Sequence, residues 1–79
     1  MEKITLEYPV ENNGKNYSEL SMRRPVLRDM LVAEKKGGSD LQKESVTFSN
    51  LCEVTPEVIQ ALDMKDYKKL QAVYTGFLS

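Results

Sequence analysis

The densest chemistry in this chain lies in the stretch MRRPVLR, Met22 to Arg28, where Arg23, Arg24 and Arg28 stand close together. A guanidinium is a fixed fork of donors that matches carboxylate and carbonyl groups. Two readings suit Arg23 and Arg24. In one they are surface charges at a strand end, paired with Asp29, Glu19 or Glu7. In the other they join Arg28, one turn on, as an anchor for an acidic or carbonyl-rich protein partner. A phosphate held at the helix start is a variant of the second. The other reactive groups are sparse. Glu57, Asp63 and Asp66 fall close enough to suggest a metal or acid–base site, yet each has a helix-cap or first-turn position that explains it. Cys52 sits between Leu51 and Val54 on an apolar stripe and reads as a small core residue, with a reactive thiol as the alternative. There is no histidine, which removes the commonest general base and most zinc sites. NNGKN, Asn12 to Asn16, lacks the glycine spacing and the Lys-Ser/Thr pair of a phosphate loop. The expectation is a protein that is not an enzyme, with no catalytic residue, cofactor or metal.

Composition narrows the remaining classes. The chain has 79 residues, enough for one domain with one small core. Its apolar share of 41% and charged share of 29% are those of a folded soluble domain. A net charge of −1 argues against a nucleic-acid binder, which needs a basic face. The single cysteine suits a reducing compartment. No apolar run approaches the ~20 residues of a membrane span, and MEKITLEYP lacks a signal-peptide core. A cytoplasmic protein is expected.

The elements that must position these residues are well marked. KITLEY alternates Ile4, Leu6 and Tyr8 with polar residues, as a strand does. Asn13-Gly14 supplies a tight turn. Tyr17, Leu20 and Met22 continue the apolar face, and the odd spacing between Tyr17 and Leu20 implies a bulge or an early end to pairing. Residues 2–23 read as a β-hairpin that helices must cover. Pro25 suits the first position of a helix over 25–36, with Val26, Leu27, Met30 and Leu31 as its apolar stripe and Gly37-Gly38 as its stop. Ser39 and Gln42 form a capping box for a helix over 40–52, which places Leu41, Ser45, Phe48, Leu51 and Cys52 on one side. Thr55 caps a short helix over 56–62, and Asp63 caps the last, over 64–78. The fold class is α+β, a single domain over 1–79: an N-terminal β-hairpin packed on a small bundle of four short helices, ββαααα.

Three pieces, L-x-M-R-R-P at 20–25, LCEVTPEVIQALD at 51–63 and DYKKLQAVYTGFL at 66–78, occur in an order that resembles the small tail assembly chaperones of Mu-like, contractile-tailed phages and prophages. Met22 stands where such proteins often have leucine, a volume-conserving change. The resemblance implies a cytoplasmic chaperone, not part of the mature virion. It would bind the tape-measure protein and keep it soluble before the tail tube polymerises. It also implies a longer frameshift product of the same gene as a further partner. It supplies no residue-level site, so the binding surface is read from the residues. Met30 and the last-helix residues Tyr67, Tyr74, Phe77 and Leu78 are the expected apolar contacts, with Arg23, Arg24 and Arg28 at the rim. Weak homo-oligomerisation fits a client that needs many copies. The competing expectation is a small nucleic-acid-binding regulator with a helix-turn-helix in residues 40–62, which the charge disfavours.

Overall fold

A computed structural model describes residues 1–79. Strands β1 (Glu2–Asn12) and β2 (Lys15–Met22) form an antiparallel hairpin, followed by helices α1 (Leu27–Lys36), α2 (Asp40–Cys52), α3 (Pro56–Gln60) and α4 (Met64–Leu78). This is the α+β, ββαααα arrangement expected. Asn13 and Gly14 both take positive φ, 54° and 78°, and Asn12 pairs with Lys15 across a two-residue turn. That backbone twist matches the twist of the strands it joins.

The hairpin is irregular in its middle. Regular pairing runs from Glu2–Met22 to Thr5–Glu19 and resumes at Val10–Tyr17. Between those pairs Leu6, Glu7, Tyr8 and Pro9 of β1 face Ser18 alone. The surplus residues lie on the first strand, and Pro9, which has no N–H, sits where a ladder bond is dispensable. The bulge changes which side chains face inward. Ile4 and Leu6 are buried, Tyr8 turns out to solvent, and Val10 returns to the core. Tyr8 therefore leaves the inward face that alternation assigned to it.

One core lies between the hairpin and α2, α3 and α4. Phe48, Met22, Leu51, Leu70 and Val58 are its most enclosed apolar side chains. Phe48 stacks obliquely on Tyr67 and Tyr74, with ring centroids 5.5 and 5.6 Å apart. α2 is central. It packs on β2, α1 and α3, while α3 and α4 cover β1. Its capping box forms as expected: the Gln42 N–H donates to Ser39 Oγ at 3.1 Å, and the Ser39 N–H donates to Gln42 Oε1 at 2.6 Å. Asp63 caps α4 by accepting the Lys65 N–H at 2.9 Å.

Three local expectations are corrected. α1 begins at Leu27, not Pro25, because Val26 is the extended cap residue, at φ −124° and ψ 165°. Asp29 supplies the missing acceptor there, taking the Val26 N–H at 2.9 Å. The third helix ends at Gln60 rather than residue 62. Thr55 holds the cap position of α3 without capping it; its hydroxyl instead accepts from Asn12 Nδ2 at 3.4 Å.

Candidate protein-docking surface

Arg23 is committed to its own chain. Its Nη1 and Nη2 donate to Asp29 Oδ2 and Oδ1 at 3.0 and 2.7 Å, fork on fork, and its backbone N–H donates to Leu51 O at 3.1 Å. Asp29 is buried, and the Arg23 guanidinium, with the Val26 N–H, holds its carboxyl below the usual carboxylate range despite that burial. The pair ties the end of β2 to the first turn of α1. Arg24 points elsewhere: its guanidinium lies 5.9 Å from the centre of the Phe77 ring. Arg28 is exposed in the first turn of α1. The double arginine is thus two side chains with separate tasks.

The apolar stripe of α1 finds no cover. Only Asp29 and Ala33 of this helix are buried. Val26, Leu27, Met30 and Leu31 are 56%, 73%, 44% and 59% exposed, and Val32 is 39% exposed. A helix normally hides such a stripe, so a contiguous exposed one marks a surface with another use.

That stripe continues onto α4. The Tyr74 hydroxyl donates to Met30 Sδ at 3.3 Å, Phe77 lies under Arg24, and Leu78 is 64% exposed beyond it. Arg24, Met30, Tyr74 and Phe77, which sequence reasoning grouped, are brought together. Tyr67 is not among them. It is buried in the core, and its hydroxyl donates to Glu44 at 2.7 Å. Val26, Leu27 and Leu31, which sequence reasoning placed on the apolar stripe but not among the contact residues, share this exposed surface. Nothing in the sequence separates a stripe that is covered from one that is not.

Beside Met30 and Tyr74 a cavity of about 230 Å³ opens between α1, α2 and α4, floored by Phe48 and edged by Glu34, Asp40 and Glu44. Glu44 Oε1 accepts from both Tyr67 and Gln71, and Lys43 reaches Glu34 at 3.0 Å. No three His, Cys, Asp or Glu side chains converge to hold a metal ion. No helix is long and apolar enough to cross a membrane.

The architecture thus leaves an exposed apolar face along α1 and the end of α4. A sequence model of the family described as "Phage tail assembly chaperone proteins, E, or 41 or 14" matches residues 3–79. The chain belongs to this family of phage tail assembly chaperones. No curated protein and no solved structure matches it. Membership of the tail assembly chaperone family carries a role in tail assembly and a protein partner in that process. The helix-turn-helix alternative gains nothing from the geometry. Lys43 is the sole basic residue between positions 40 and 62, and Glu34 already occupies it.

Proposed function

We propose that this tail assembly chaperone binds amphipathic helical segments of the tape-measure protein and keeps that protein soluble until the tail tube forms around it. The observation that supports the reading is the uncovered stripe of α1 running onto Tyr74, Phe77 and Leu78 of α4. A client helix laid there would be held by helix-in-groove packing, its apolar anchors against Leu27, Met30 and Leu31. Covering such a stripe is worth on the order of 5 kcal/mol, close to what association itself costs. One copy would then bind weakly, and a long client would gain from several copies along its length. A longer frameshift product, if made, would share this surface.

Co-expression tests the reading. The tape-measure protein is produced with the tagged wild-type chain, with the Leu27→Glu, Leu31→Glu variant, and without either. The expected result is a soluble, co-captured tape-measure protein with the wild type alone. A client equally insoluble in all three arms overturns the proposal.

A further inference from the structure

We propose that a second partner site lies along the free edge of β2, where one extended segment of the client adds to the hairpin as a third strand. The chaperone reading supplies the identity of the client; the site itself is separate from the α1 stripe. Each strand of the hairpin has one neighbour, so each has an outer edge. The outer side of β1 is served by α4. Asp66 accepts the Glu7 and Tyr8 N–H groups, the Lys69 ammonium donates to the Thr5 carbonyl, and Pro9 has no N–H to offer. β2 has no such guard. It runs for eight residues without a proline, and no backbone group from Lys15 to Met22 forms a hydrogen bond outside the hairpin. Natural proteins usually blunt an edge of this kind unless it has a use.

A cleft of about 490 Å³ follows that edge, and every residue from Lys15 to Ser21 lines it. Side chains of a strand alternate between its two faces, so a cleft on one face would touch every second residue; one touched by consecutive residues follows the edge. The other wall is Cys52, Glu53 and Val54, the connection from α2 to α3. Both ends of that wall are pinned to the hairpin. The Arg23 N–H donates to the Leu51 carbonyl at 3.1 Å, and Asn12 Nδ2 donates to Thr55 Oγ1 at 3.4 Å. Between these two bonds no hydrogen bond joins the wall to β2. A row of unused backbone donors and acceptors matches the backbone of another extended chain. Leu20, Cys52 and Val54 favour an apolar side chain facing them. The charges of the cleft are mixed: Lys15 lies 5.2 Å from the centre of the Tyr17 ring, Glu19 is 3.9 Å from Lys3, and Glu53 stands in the field of Arg23. The segment is therefore selected by its main chain and by apolar side chains at alternate positions, not by charge. A second copy would bring a β2 that already carries β1, and a cleft walled on its far side admits one unpaired strand and not a hairpin.

Overlapping synthetic peptides spanning the tape-measure protein provide the test, titrated by fluorescence anisotropy against the full chain carrying Leu27→Glu and Leu31→Glu, which silences the α1 stripe and leaves β2 as it is. Each peptide that binds is remade with N-methyl groups on alternate residues, in one frame or the other. A strand added to an edge turns every second N–H toward its neighbour. Methylation in one frame is therefore expected to weaken binding about tenfold or more, the effect of losing one or two hydrogen bonds, while the other frame binds like the parent. Amide hydrogen exchange within residues 15–22 is expected to slow when the parent peptide binds. Equal effects of the two frames, or protection confined to other elements, overturn the strand site. Protection of β2 that rises with chain concentration in the absence of peptide marks a second copy in the cleft and overturns it too. If no peptide binds this variant, the β2 site falls, while the co-expression result for the α1 stripe stands on its own.

Discussion

Asp66 is fully buried, and it answers a need created elsewhere in the chain. The β1 bulge deprives two backbone N–H groups of ladder partners, and Asp66 accepts both, Glu7 at 2.9 Å and Tyr8 at 3.0 Å. Lys69 completes the cluster, 3.3 Å from Asp66 Oδ1 and 3.0 Å from the Thr5 carbonyl. Asp66→Ala would leave the two amides without an acceptor, so urea unfolding should show a loss of about 3 kcal/mol. Asp66→Asn, which keeps one acceptor, should lose less; equal stability of all three proteins would refute the clasp. In sequence Asp66 reads only as a first-turn acid, because nothing local announces a partner 59 positions away. Asp29 was legible as one of several possible partners for Arg23, but its capping of Val26 was not, since valine gives no cap signal. Cys52 follows its sequence reading. It is 7% exposed, and burial pushes its thiol up to about 11. A thiol reagent at about pH 8 should label it slowly in the folded protein and promptly in urea; prompt labelling without urea would contradict the burial.

Among the elements, α1 departs furthest from what its pattern implies. Its stripe has the periodicity of a core helix, but α1 packs on α2 through its buried side, where Ala33 lies, and the Asp29 pair ties it to the end of β2, leaving the larger apolar residues outside. Periodicity records which residues share a face and is silent on what meets that face. Because the stripe is external, Leu27→Glu with Leu31→Glu should change unfolding free energy by about 0.5 kcal/mol or less. A loss of several kcal/mol would place those leucines inside. The link from α1 to α2 is more exacting. Gly38 adopts φ +100°, and a Cβ there would stand 2.5 Å from Gln42 Oε1, the atom that closes the capping box. Gly38→Ala should therefore cost about 1–2 kcal/mol in thermal or urea unfolding, and wild-type stability would contradict it. The turn at Asn13-Gly14, the capping box and the Asp63 cap were all readable because each depends on a few adjacent residues. An irregular hairpin was readable too, but its surplus on β1, the outward turn of Tyr8 and the engagement of the Thr55 hydroxyl by Asn12 were not, because each is settled by contacts between elements.

Over the whole molecule the two buried carboxylates couple stability to pH. Burial alone would raise Asp66, but the amides of Glu7 and Tyr8 and the Lys69 ammonium together hold it below its ordinary value; Asp29 is held down chiefly by Arg23. Both groups therefore bind protons less readily when folded than when unfolded. Their contribution is complete above the unfolded carboxylate value near ~3.9 and fades as pH falls through the lower folded values. Urea midpoints should hold steady from neutral pH to about 5 and drop below about 4, with a shallower drop in Asp66→Asn; midpoints indifferent to acid would contradict the assignment. The same clasp has a temporal consequence. The hairpin precedes α4 in the chain and is synthesised before it, yet the bond that secures its bulge belongs to α4, 59 positions away. Until α4 has emerged, β1 carries two unsatisfied amides and an apolar face with little to rest on. Contacts this distant along a chain delay folding. Until α4 is made, the hairpin is therefore the part of this fold most open to misassociation.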